Sequence, residues 1–113
     1  MSSGKVALVT EIAGDGRSYP KDGDNLVVHY EGRWGGKIFD SSYERRTPLR
    51  FRVGTGGVVP GFEEALRQIS VGERAVCNIP AALAYGAKGF PGLIPPNQDL
   101  EITFELLELS PSF

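Results

Sequence analysis

A single cysteine, Cys77, and a single histidine, His29, are all the thiol and imidazole chemistry in this 113-residue chain. One thiol excludes an intramolecular disulfide, and with no Cys/His cluster around His29 no protein-built zinc site is expected. That scarcity suits a reducing compartment, so the expected location is cytoplasmic or nuclear. Long apolar runs are absent as well. The N-terminal stretch offers only Val6 to Val9 before Thr10 and Glu11, far short of a secretory signal or a membrane span, so no membrane partner is expected. An excess of one charge is also missing. Twelve Lys and Arg stand against fourteen Asp and Glu, a formal net charge of −2, which lacks the positive footprint that phosphate neutralisation demands and argues against nucleic acid.

Glycine and proline, by contrast, are abundant. Fifteen Gly and eight Pro make about a fifth of the chain reluctant to enter helix interiors, which excludes a helix bundle and favours strands joined by many turns. With 41% hydrophobic and 23% charged residues the chain has the makings of a folded core, and its length suits one domain spanning 1–113, expected to act as a monomer.

Strict alternation marks the strands. Leu49-Arg50-Phe51-Arg52-Val53 turns three apolar residues one way and two arginines the other, the pattern of a half-buried antiparallel strand. Leu100 to Leu106 repeats it, and the slip at Leu107-Glu108-Leu109 shifts the phase by one, which predicts a bulge or a change of burial. Lys5 to Ile12, Leu26 to Trp34 and Glu73 to Ile79 add β-branched or aromatic runs, for five to six strands, and Gly35-Gly36 suits a hairpin turn. Only Gly61 to Ser70 reads as helix, with Phe62, Leu66 and Ile69 on one face and Gly72 as its stop. A lone amphipathic helix needs a sheet to cover it, so the fold class is α+β.

The stretch between Ala81 and Asp99 has no periodicity yet carries Tyr85, Phe90, Leu93 and Ile94. A long apolar loop of this kind either serves a site or caps the edge of the core. Nucleophilic catalysis finds no support, because His29 lies mid-strand without a companion motif and reads as structural. Gly54-Thr55-Gly56-Gly57 lacks the lysine of a phosphate loop and reads as a turn. Asp22, Asp24, Asp40 and Glu44 read first as solvated acids, since a carboxylate pair for glycoside chemistry needs a fixed separation. What remains is a set of aromatic and aliphatic residues with a few polar ones, which suits a binding pocket.

Four strings carry a resemblance: Val28-His29-Tyr30-Glu31-Gly32, Lys37 to Ser42, Gly61 to Leu66, and Ala84-Tyr85-Gly86 followed by Pro91-Gly92-Leu93-Ile94-Pro95-Pro96. In that order they resemble the FKBP family of peptidyl-prolyl cis-trans isomerases, the macrolide-binding immunophilins, over nearly the whole chain from Val6 to Leu109. The resemblance implies a curved antiparallel sheet of five to six strands wrapped around one short helix, with the pocket between them. It implies isomerisation of X–Pro bonds in peptides and folding proteins, and binding of rapamycin- or tacrolimus-type macrolides, with neither cofactor nor metal.

By matching motif positions, Tyr30, Phe39, Asp40 and Tyr85 are the candidate catalytic residues. Arg45, Leu49, Phe51, Val58, Val59, Phe62, Phe90, Leu93, Ile94 and Ile102 are candidate ligand contacts. Phe62 is the implied pocket floor, and Arg45 pairs with Asp40. Three positions depart from the family pattern: Phe62 stands where an indole is usual, Phe90 where a histidine is frequent, and Ile102 where an aromatic is frequent. Trp34, the only tryptophan, is expected at the hairpin end, away from the pocket. The alternative function is a non-catalytic module of the same fold that docks a partner protein.

Overall fold

Six strands and two α-helices, with one 3₁₀ turn at Ala81–Leu83, follow one another in the computed structural model, which describes residues 5–111. They are β1 (Ala7–Ile12), β2 (Asn25–Trp34), β3 (Lys37–Ser41), α1 (Ser42–Arg45), β4 (Leu49–Arg52), α2 (Pro60–Leu66), β5 (Arg74–Ile79) and β6 (Leu100–Ser110). All pairings are antiparallel, in the order β1-β5-β6-β2-β3, and β4 also pairs with β2. β4 takes Asn25 to Val28 and β3 takes Glu31 to Trp34, so two short strands share one edge of β2. The curved α+β architecture is therefore the one expected.

Alternation decides which side chains fill the interior. Leu26, Val28 and Tyr30 from β2 and Leu100, Ile102, Phe104 and Leu106 from β6 point inward, and Phe62, Ala65 and Leu66 of α2 close over them. The phase slip in β6 is a bulge. Val28 faces Leu106 but Val27 faces Glu108, which leaves Leu107 as the extra residue. Gly35 and Gly36 adopt φ of 58° and 79° between paired Trp34 and Lys37, the left-handed pair that a two-residue hairpin needs.

Three expectations about helices require correction. α2 covers Pro60–Leu66 instead of extending from Gly61 to Ser70. Gln68 and Ile69 continue only as turns, donating to the Ala65 and Leu66 carbonyls at 3.1 and 3.3 Å. Gly72, at φ 89°, lies beyond the helix end and donates its N–H to Leu106 at 2.8 Å, so it docks the chain on β6 and does not stop the helix. Nor is α2 alone. Ser41 caps α1 by accepting the Glu44 N–H at 3.3 Å, and Arg46 closes it in the left-handed region at φ 55°. A single turn this short carries too little periodicity to register as a helix in sequence. Among the described residues no helix is long and apolar enough to cross a membrane.

Candidate active site

β2 and β3 bring Tyr30 and Asp40 to the same side, and α1 delivers Arg45 to both. The Tyr30 hydroxyl donates to Asp40 Oδ2 at 2.6 Å, and Arg45 Nη2 donates to the Tyr30 oxygen at 2.8 Å. Arg45 Nη1 pairs directly with Asp40 Oδ1, so the three side chains form a closed ring. The guanidinium carbon also lies 5.6 Å from the centre of the Tyr30 ring, within cation–π range. Burial, followed by the bond to Asp40, raises the Tyr30 pKa above the ordinary phenol value. The bonds to Tyr30 and Asp40 raise that of Arg45. The result is a fixed carboxylate and a neutral phenol.

The backbone of Tyr30 is held by a residue that sequence reasoning missed. Ser42, fully buried, accepts the Tyr30 N–H at 2.7 Å, lies 3.2 Å from the Tyr30 carbonyl, and sits 2.8 Å from His29 Nδ1. His29 stacks on Tyr43 with ring centres 4.5 Å apart. Its role is therefore structural, as its mid-strand position suggested. The available signal for α1 was the Ser41-Ser42-Tyr43-Glu44 string, which has the S-x-x-E form of a capping box.

A second bulge aims Phe39. Gly32 pairs with Asp40 while Arg33 pairs with Ile38, so Phe39 is the unpaired residue of β3. Its ring lies directly over Gly32, where an added Cβ would stand 2.5 Å from Cζ and 2.7 Å from Cε2. Ile102 reaches the same spot, 3.1 Å from that position, and is itself fully buried behind Phe39.

Phe62, at the start of α2, is 8% exposed and meets Tyr30 at 6.2 Å and Phe104 edge-on at 5.2 Å between ring centres. Pro60 opens the helix with its fixed φ, and Val59 precedes it as the cap. Val58 and Val59 are partly buried against the core, as are Leu49 and Phe51 on the inner side of β4. Among the described residues the Val59 N–H and the Tyr85 hydroxyl meet no hydrogen-bond partner.

The long loop contributes the remaining candidates. Tyr85 and Phe90 pack edge-on at 5.7 Å, and Phe90 and Ile94 bridge to each other through their backbones. Burial raises the Tyr85 pKa, with the Asp40 carboxylate adding to the effect. Phe90 and Leu93 are 50% and 40% exposed, whereas Ile94 is buried. Trp34 departs from its expected isolation: its indole N–H donates to the Leu93 carbonyl at 2.9 Å. The hairpin end therefore reaches the loop. Among the described residues no cluster of His, Cys, Asp and Glu is gathered to hold a metal ion.

Comparison with known proteins adds three findings. A sequence model of the family described as FKBP-type peptidyl-prolyl cis-trans isomerase matches residues 16–107. The chain is 43% identical over 108 residues to FK506-binding protein 1 of Kluyveromyces lactis, covering 95% of each. It is 48% identical over 106 residues to peptidyl-prolyl cis-trans isomerase FKBP1A of Xenopus laevis, covering 93% of this chain and 96% of that relative.

Proposed function

The chain belongs to the FKBP-type peptidyl-prolyl cis-trans isomerase family and is an enzyme of that class, and from this premise we propose that its site is the surface where Tyr30, Phe39, Asp40 and Tyr85 meet Phe62 and the long loop. One such isomerase domain spans 1–113. The observation that carries the reading is the closed Tyr30–Asp40–Arg45 ring beside Phe62.

The reaction needs no base. Rotation about an X–Pro bond breaks amide resonance, with a barrier of about 18–20 kcal/mol, and no covalent bond forms or breaks. The planar amide is more charge-separated than the twisted transition state, so an apolar wall that excludes water penalises the ground state more. Phe39 and Phe62 supply that wall, with Ile102 behind Phe39. Asp40, held by Tyr30 and Arg45, acts electrostatically on the rotating carbonyl. The Tyr85 hydroxyl and the Val59 N–H hold the flanking carbonyls. A ten-thousand-fold acceleration requires only about 5.4 kcal/mol, a sum that several such weak effects reach.

Proline-containing peptides and proteins are the substrates, and an open apolar surface favours bulky apolar residues before the proline. The same surface takes rapamycin- or tacrolimus-type macrolides, a reading supported by relatives named for FK506, which is tacrolimus. Arg45, Leu49, Phe51, Val58, Val59, Phe62, Phe90, Leu93, Ile94 and Ile102 form the ligand-binding set. The protein acts as a monomer in the cytoplasm or nucleus, where its lone buried thiol stays reduced. A protease-coupled assay on a Leu-Pro peptide tests the reading: the expected result is a rate that rises with enzyme and falls with added macrolide. A rate unaffected by macrolide, at concentrations where calorimetry finds no binding, would remove the ligand assignment.

A further inference from the structure

The loop from Ala84 to Asp99 makes most of its hydrogen bonds with itself. Phe90 and Ile94 exchange backbone bonds of 2.8 Å in both directions, Gly89 donates to Tyr85 at 3.1 Å, and Asn97 donates to Gly86 at 2.9 Å. These bonds fix the loop's internal shape, and buried Ile94 seats it on the core, which leaves the attitude of its exposed tip to few contacts. Among the described residues a single hydrogen bond joins the distal segment 87–98 to the sheet, and Trp34 donates it. The indole Nε1–H reaches the Leu93 carbonyl from the end of β2 at 2.9 Å. Around that contact the loop is not packed down, for an open cleft of about 490 Å³ is lined by Trp34, Lys88 and residues 91–96.

We propose that Trp34 is a positioning residue that, through the Leu93 carbonyl, sets the tip of this loop and thereby the enzyme's grip on the residue preceding proline. The inference rests on the site reading given above. A loop with its own internal bonding moves as a body about its seat at buried Ile94, so the attitude of the exposed tip, which carries Phe90 and Leu93, depends on few attachments. Tyr30, Asp40 and Arg45 stand on β2, β3 and α1 and do not depend on the tether. Loosening it therefore weakens substrate binding and leaves bond rotation intact.

The substitution Trp34→Phe keeps an aromatic ring and removes the donor. With a Leu-Pro peptide followed by NMR exchange kinetics, it is expected to raise KM about five-fold, the size of one net hydrogen bond, with kcat within about twofold of the native value. The native protein supplies a second readout. Its only tryptophan gives one indole N–H resonance in a ¹⁵N-labelled sample, and saturation with the same peptide is expected to move it. An unchanged KM overturns the proposal, as does a fall in kcat at constant KM, or an indole resonance that stays still at saturation. If Trp34→Phe does not fold, the native titration decides alone. A native protein that binds the peptide without turning it over overturns the site reading, and is told apart from failure of the tether by the native turnover itself.

Discussion

Replacing Gly32 by Ala asks whether Phe39 belongs to the working surface or only to the fold. Gly32 lies in β2 outside the left-handed region, so its backbone accepts an L side chain without strain. Space is the only obstacle. The new methyl would stand 2.5 and 2.7 Å from two carbons of the Phe39 ring and 3.1 Å from Ile102 Cδ1, against an optimum of about 3.5–4.0 Å between carbons. Ile102 is fully buried and cannot retreat, whereas Phe39 is half-buried and can. The ring is therefore expected to move outward by about 1 Å, at an overpacking cost of about 1–2 kcal/mol, in the lower part of the usual range because one neighbour yields. That corresponds to a fall of about 4–8 °C in Tm. If the displaced ring is the apolar wall against the rotating amide, loss of about 1.4 kcal/mol of differential binding lowers kcat/KM about tenfold. The protease-coupled assay and a thermal melt measure the two effects separately. Gly57→Ala serves as the control, since its Cβ would meet nothing nearer than Thr55 Oγ1 at 3.8 Å. A Gly32→Ala enzyme that melts lower yet turns over at the native rate would put Phe39 in the fold alone. One that changes in neither respect would refute the close approach itself.

Tyr85→Phe removes a hydroxyl and keeps the ring against Phe90, so calorimetry is expected to show macrolide binding weakened by about 1 kcal/mol with Tm nearly unchanged. A large fall in Tm at constant affinity would contradict this. Cys77 is fully buried beside Ala75 and Ile79, and burial pushes its thiol pKa up to about 12. A thiol reagent should therefore label the native protein far more slowly than the urea-unfolded chain, and equal rates would refute the inward placement. Burial comes first in raising the pKa values of Tyr30, Tyr43 and Tyr85. A raised folded pKa gives stability that is fully present below the unfolded phenol value of about 10 and lost as pH climbs through the folded values. Urea midpoints are expected to fall above about pH 10, with the tyrosinate absorbance of these residues rising together with unfolding. A midpoint that holds steady through strongly alkaline pH would contradict that.

Local patterns gave away more of the fold than of the site. The alternation of Leu49 to Val53 and Leu100 to Leu106 reports burial on one face directly, and of the two outcomes that the slip at Leu107 allows, a bulge or a change of burial, the sheet register shows the bulge. The end of α2 is not legible in the sequence because Ile69 keeps helical spacing while its N–H bonds in a tighter turn. Site geometry is harder to read, since it is made by long-range pairing. Nothing local to Arg45 says that one helical turn carries it to the Tyr30 hydroxyl. Nor does anything near Trp34 announce Leu93. Motif resemblance groups Tyr30, Asp40 and Arg45, with Asp40 paired to Arg45 and bonded to Tyr30 as the structure has them, but it assigns no role to Ser42.

The central position of β2, flanked on one edge by β6 and on the other by β3 and β4, also has a bearing on how the chain comes to be folded during synthesis. Tyr30 pairs with Phe104 and Leu26 with Leu109, so the middle of the sheet cannot zip until the last strand has left the ribosome. Until then β2 can take up its hairpin with β3 and its ladder with β4, while β5 waits with one edge unsatisfied. Closing so wide a loop makes acquisition of the native state slow relative to helical proteins of this size, and it exposes apolar strand edges to other nascent chains in the interval. Nascent chains stalled before β6 has emerged should therefore be protease-sensitive, and those stalled after it has emerged should resist.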